Sequence, residues 1–145
     1  MVDRKNVVIF IFTTQPRLRF LLLKRTPERS GYWQPVTGGI KPRESDKEAA
    51  LREIREETGI IDYLRFIDLQ HTFRYHEPKG GVLMYMQDYC YALEIEKEMD
   101  IRLSEEHEQY VWVDEEGVRQ KMDWDNGLAA FEKLTQIIKL TKTGG

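Results

Sequence analysis

Between Gly38 and Ile60 the chain reads GGIKPRESDKEAALREIREETGI, and this stretch constrains the fold more than any other. Ser45 followed three residues later by Glu48 is the capping-box pattern that starts a helix. Ala49, Ala50, Leu51, Arg52 and Glu53 are good helix formers with no breaker among them. Gly59 supplies the left-handed residue that ends such a run, so the spacing predicts a helix over Asp46 to Thr58. At about 100° per residue, Glu53, Glu56 and Glu57 fall on one face within an arc of about 100°. Ala50, Leu51 and Ile54 share a neighbouring face that can pack on a core. Like charges at i, i+4 cost helix stability, and a pair of glutamates taken at random is usually a solvated face, here neutralised by Arg52 and Arg55. The other reading is a divalent cation, since Mg²⁺ takes carboxylate oxygens and binds together with substrate phosphates.

The spacing decides between the two. Gly38, five residues, Glu44, seven residues and then Arg52-Glu53-Ile54-x-Glu56-Glu57-x-Gly59-Ile60 fill every fixed position of the Nudix box, G-x5-E-x7-R-E-U-x-E-E-x-G-U, with U a bulky aliphatic. The chain resembles a Nudix hydrolase. The resemblance implies a loop, helix and loop that bind metal and a diphosphate, with water attacking phosphorus. It implies Glu53, Glu56 and Glu57 as metal ligands, joined by a backbone carbonyl near Gly38, and Mg²⁺ as cofactor with Mn²⁺ as a substitute. Arg52 is expected to orient a box glutamate through charge-assisted hydrogen bonds, and Glu44 to support the loop or reach the metals through water. Arg52, Glu53 and Glu57 are the expected catalytic residues. Whether Glu57 or a glutamate outside the box serves as general base stays open.

A second constellation follows at Ile101 to Val113, IRLSEEHEQYVWV. It is similar to a stretch of diadenosine tetraphosphate hydrolases and dihydroneopterin triphosphate pyrophosphatases whose glutamate lies near the metals. That similarity selects Glu106 as a further ligand over Glu105 and Glu108, with His107 more often structural. The Trp33-Gln34-Pro35-Val36-Thr37-Gly38 segment and Trp124-Asp125-Asn126 resemble the dihydroneopterin triphosphate pyrophosphatases. By that resemblance Arg25 contacts phosphate or the neighbouring ring, Gln34, Thr37 and Asn126 supply polar contacts, and Tyr32 or Trp33 a stacking surface. The resemblances converge on a nucleoside-polyphosphate-like small molecule and divide over which one. A nucleoside-triphosphate-like substrate leads; an asymmetric diadenosine tetraphosphate hydrolase and an RNA 5′-pyrophosphohydrolase are the alternatives.

With 145 residues, 41% hydrophobic and 32% charged, the chain reads as one domain over 1–140 with a loose tail over 141–145. A net charge of −3 argues against broad nucleic-acid binding, leaving at most an RNA 5′ end. Cys90 is the single cysteine, so no intrachain disulfide forms, and a reducing, cytoplasmic setting is expected. No apolar run approaches the roughly 20 residues of a membrane helix.

Asn6 to Phe12 is β-branched and apolar enough for a strand buried on both faces, and Arg19 to Lys24 makes its hairpin partner. After the box helix, strands are expected over Tyr63 to Tyr75 and Val82 to Ile95 with a turn over His76 to Gly81. Glu96 to Glu108 reads as a charged loop, Tyr110 to Val113 as a short strand, and Glu115 to Lys121 as a helix capped by Asp114. Asp125 is placed to cap a last amphipathic helix over Asn126 to Leu140. Strands with covering helices give an α+β fold, an α/β/α sandwich with a central mixed sheet, as the Nudix resemblance also implies. Among competing classes, a nucleotide-binding regulatory domain commonly carries a damaged box, and this one is intact. A Nudix-fold isomerase calls for a catalytic cysteine that Cys90, mid-strand, does not resemble.

Overall fold

The computed structural model describes residues 1–143. In chain order it contains β1 (Arg4–Thr13), β2 (Arg19–Arg25), β3 (Trp33–Gln34), β4 (Val36–Gly39), α1 (Asp46–Thr58), β5 (Arg65–Lys79), β6 (Val82–Glu94), β7 (His107–Val113), α2 (Glu115–Lys121) and α3 (Asp125–Thr143). One mixed sheet runs β3-β2-β1-β6-β5. β1 lies parallel to β6 from Arg4↔Met86 to Phe12↔Glu94. Its other edge is shared: β4 takes the first half, Asn6↔Gly39 to Ile9↔Val36, and β2 takes the end, Ile11↔Leu21 to Thr13↔Arg19. β2 then carries β7 antiparallel along its length.

Period-2 alternation along β1 feeds two cores. Val7, Ile9 and Ile11 join Leu21, Leu23, Tyr91 and Leu93 beneath Ala49, Ala50 and Ile54 of α1. Val8, Phe10 and Phe12 join Phe20, Leu22, Cys90 and Ala92 beneath Val118 of α2 and Ala130, Phe131 and Leu134 of α3. Each of these large apolar side chains contributes about 1.5–3 kcal/mol on burial. Phe131 meets Phe20 edge-on at 4.8 Å, which fixes α3 across the strands. The result is the expected three-layer sandwich. Cys90 is buried in the α3 layer, where burial pushes its thiol up to about 12, so it is a packing residue.

The boundaries differ from expectation in four places. The turn expected over His76 to Gly81 shrinks to Gly80 and Gly81, both with positive φ, the two-residue hairpin that lets both strands continue. Pro78 is tolerated inside β5 because β5 is an edge strand. β7 begins at His107 rather than Tyr110, since β2 supplies partners as far as Arg25↔His107, with a bulge before that pair. Trp124, not Asp125, caps α3, its carbonyl accepting the N–H of Leu128. α3 itself runs on through Thr143, into the segment expected as a tail, of which 144 and 145 lie outside the described residues.

Candidate functional site

The box loop and α1 form one hydrogen-bonded unit. Ser45 and Glu48 close the capping box, and Gly59 ends α1 at φ 81°. Arg52 is the hub. Its Nε and Nη2 fork onto Glu44 at 2.7 and 2.9 Å, its Nη2 also donates to the Gly39 carbonyl at 2.8 Å, and its Nη1 reaches Glu53 at 2.7 Å and Glu56 at 3.3 Å. A planar guanidinium matches a carboxylate in this two-point way, and a lysine could not replace it. Glu44 also accepts the Lys41 N–H. These bonds, Arg52 first, hold its carboxyl well below 4.5, at about 2. One arginine thus pins the loop at two places and turns the helix carboxylates.

Glu53 is buried, and its carboxylate lies against Gly38, where any Cβ would collide with it. Burial pushes the Glu53 carboxyl up and outweighs the Arg52 hydrogen bond that pulls it down. The anionic form is therefore under-compensated at this point. Glu56 is half exposed.

Glu57, 4% exposed, reaches the loop before β7. Ser104 Oγ donates to Glu57 Oε2 at 2.7 Å, and His107 Nδ1 lies 2.7 Å from the same oxygen. The His107 contact is close but not aligned as a hydrogen bond. Burial works to raise the Glu57 carboxyl, but His107 and Ser104 together outweigh it and hold it low. Glu106 goes the other way: burial and then the neighbouring Glu57 charge raise it, against the pull of Arg29 at 3.3 Å. The two carboxylates are thus split in proton affinity.

Beside the box, on the α3 face of the sheet, opens a cleft of about 480 Å³. It begins at Gly38 and Glu106, the residues that touch Glu53 and Glu57, so it continues from the acidic face of α1. Arg4, Arg25 and Arg29 place cations along it, and Tyr32, Trp33, Tyr75 and Trp124 supply aromatic surface. Of the residues expected to hold substrate, Arg25, Trp33, Gln34 and Thr37 all line this cleft. Gln34 Nε2 is 3.2 Å from His107 Nε2, so the cleft and the Glu57 carboxylate are joined through one imidazole. Lys121 sits 5.0 Å over the Trp33 ring, covering one of its faces. Asn126 is exposed in the first turn of α3 and is not among the lining residues, whereas Asp123 and Trp124 are. A smaller apolar depression of about 130 Å³, lined by Leu51, Ile54 and Ile60, lies under α1 and gathers no carboxylates.

The NUDIX domain model matches residues 3–133. The chain belongs to the NUDIX family. It is a hydrolase. It is 36% identical over 129 residues to the bis(5′-nucleosyl)-tetraphosphatase (asymmetrical) of Mus musculus, covering 83% of this chain and 81% of that protein. It is 30% identical over 118 residues to the dihydroneopterin triphosphate diphosphatase of Escherichia coli, covering 74% and 76%. The solved structure of the E. coli dihydroneopterin triphosphate pyrophosphohydrolase superposes with a TM-score of 0.75 at 25% identity, over 92% of this chain and 97% of that one. A further match, 38% identical over 99 residues to an octanoyltransferase of Myxococcus xanthus, spans 68% of this chain but only 27% of that protein.

In this Nudix hydrolase, no three His, Cys, Asp or Glu side chains among the described residues converge as a closed metal cluster. The carboxylates of the site each have a partner: Arg52 holds Glu53, Ser104 and His107 lie on Glu57, and Arg29 holds Glu106. The donor set nonetheless suits a hard divalent cation, because the carboxylates crowd together and burial leaves Glu53 and Glu106 under-compensated as anions. Sequence reasoning missed part of the cleft. Arg4, Asn6, Tyr75 and Asp88 line it, carried on β1, β5 and β6. The only signal was a polar residue at the start of an otherwise apolar strand, Asn6, and an aspartate, Asp88, in the middle of another.

Proposed function

We propose that this protein is a Mg²⁺-dependent pyrophosphohydrolase that splits a phosphoanhydride bond in a polyphosphate carrying one heterocyclic ring. The observation that carries it is continuity: a cleft lined by arginines and aromatic rings runs directly into the carboxylate face of α1 at Gly38 and Glu106. Glu53, Glu56, Glu57 and Glu106, with the Gly38 carbonyl, would hold the cation. When bound, such a cation neutralises phosphate oxygens and lowers the pKa of a water.

The chain's own residues do the rest. Arg25 and Arg29 seat the phosphates, Arg52 keeps Glu53 and Glu56 oriented, and Gln34 and Thr37 contact the substrate beside Gly38. Of the two carboxylates near β7, Glu57 is the one held ionised and Glu106 the one that takes a proton more readily, so a proton released by attacking water has a nearby acceptor. The likeness to a dihydroneopterin triphosphate diphosphatase favours a triphosphate. The higher identity to an asymmetric bis(5′-nucleosyl)-tetraphosphatase favours a dinucleotide as the second reading.

Product analysis by chromatography with Mg²⁺ separates them. Dihydroneopterin triphosphate, the common NTPs and diadenosine tetraphosphate are supplied in parallel. Monophosphate plus pyrophosphate from a triphosphate is the expected result. ATP plus AMP from the dinucleotide with triphosphates spared would move the protein to the second reading, and no product from any would remove the hydrolytic one.

A further inference from the structure

Asp88 is a buried carboxylate that the catalytic reading does not use. It is 3% exposed, yet it lines the cleft. Its neighbours along β6, Met86 and Cys90, are buried too, so an apolar residue would suit this strand position. No Lys or Arg among the described residues pairs with it. Instead Asn6 Nδ2 and the Tyr75 hydroxyl donate to it, both at 3.0 Å and both to Oδ1. Arg4 Nε donates to Asn6 Oδ1 at 2.9 Å, which fixes the amide so that its NH₂ must face the carboxylate. Among the described residues none donates a hydrogen bond to Oδ2. Asn6 on β1 and Tyr75 on β5 therefore hold the Asp88 carboxylate at the cleft with one acceptor oxygen left over among the described residues.

Its position suits a ring. Gly39 pairs with Asn6 and Asn6 with Asp88, so two strand spacings, about 10 Å, separate the box loop from this carboxylate. That is the span of a ribose or a short carbon chain between a phosphate at Gly38 and a heterocycle at Asp88. Tyr75 and Trp124 supply aromatic surface beside it.

Resting on the reading of the cleft as the seat of a polyphosphate, we propose that Asp88 selects the substrate's ring. It does so by accepting from an edge that carries a ring N–H beside an exocyclic amino group. Guanine and 2-amino-4-oxopteridines present that edge. Adenine sets a ring-nitrogen lone pair beside its amino group, and this lone pair faces the carboxylate repulsively. Asn6 and Tyr75 are positioning residues that aim Oδ2.

The test is calorimetric titration of GMP, IMP and AMP, without added metal, into the wild-type protein and Asp88→Asn. The wild type is expected to bind GMP about tenfold or more tighter than AMP, with IMP, which keeps the ring N–H but lacks the amino group, between them. Asp88→Asn is expected to weaken GMP about tenfold and leave AMP within about twofold, since an amide keeps the size but sets NH₂ donors where Oδ2 accepted. Tyr75→Phe, a milder change that keeps the ring, is expected to lose about two- to threefold of the GMP preference. GMP and AMP bound within about twofold of each other by the wild type, no measurable binding of GMP, or a GMP preference that survives in folded Asp88→Asn would each overturn the proposal. Hydrolysis is read separately: a protein that prefers GMP but cleaves no triphosphate with Mg²⁺ refutes the triphosphate reading and leaves ring selection standing.

Discussion

The box and the cleft are built in opposite ways. In the box, the partners are close in sequence: Ser45 with Glu48, Arg52 with Glu53, Glu56 and Glu44, and Arg52 with Gly39 thirteen residues away. In the cleft, Asn6 meets Asp88 across 82 residues, and Gln34 meets His107 across 73. A local site is specified by one stretch of chain and tolerates little change within it. A site assembled by the sheet takes its shape from strand register, and single positions can change what it accepts while the machinery persists. Substitutions on the box side should therefore act on turnover, and substitutions on the cleft side on substrate affinity.

The largest effect is expected at Glu57. Glu57→Gln should keep the fold and lower turnover by about 10²–10³-fold, as removal of one preorganised charge from a site commonly does. Near-wild-type turnover by folded protein would take Glu57 out of the site. Gly38→Ala comes next. Its Cβ would displace the Glu53 carboxylate, and overpacking of this kind costs about 1–3 kcal/mol, so melting temperature and turnover should both fall. Turnover at the wild-type level would show that Glu53 can occupy another position.

On the cleft side, Gly127→Ala would drive a methyl into the Trp124 ring, which packs edge-on against Phe73 at 5.6 Å. We expect KM to rise several-fold with kcat nearly unchanged, read from steady-state kinetics; a fall in kcat at constant KM would erase the distinction between the two regions. The smallest effect concerns pH. Glu44 titrates at about 2 rather than 4.5, so the Arg52 pair contributes stability that is complete above about pH 4.5 and is lost as pH falls through about 2. The melting-temperature gap between wild type and Glu44→Gln should hold constant above that range and close below it. A gap that closes between neutrality and pH 5 would assign the lost stability to another group.

The same contrast explains what could be read from the sequence. The α1 limits, its capping box and its Gly59 stop follow from interactions within one turn of chain, and the three-layer sandwich follows from the alternation in β1. Arg25, Trp33, Gln34 and Thr37 came to the cleft through their likeness to related sequences. Asp88 and Asn6 were not legible because their meaning arises only when β1 and β6 align in parallel at Asn6↔Asp88. The hairpin turn was misplaced for a related reason: Pro78 reads as a breaker until β5 is known to be an edge. Asn126 was matched by sequence likeness, whereas Trp124 and Asp123 line the cleft; the helix begins at Asp125, one residue earlier than expected, with Trp124 as its cap.

Glu57 Oε2 is shared property. The Ser104 hydroxyl and the His107 ring both converge on that one oxygen, and between them they tether the 95–106 connection, which carries Glu106, to α1. A ligand that takes this oxygen from the hydroxyl and the ring loosens the tether, and whatever immobilises the connection then makes the oxygen harder to claim. Such competition is reciprocal by thermodynamic necessity. Hydrogen exchange at the amides around Ser104 should then report occupancy at α1, which gives the connection the character of a built-in gauge of whether the site is loaded.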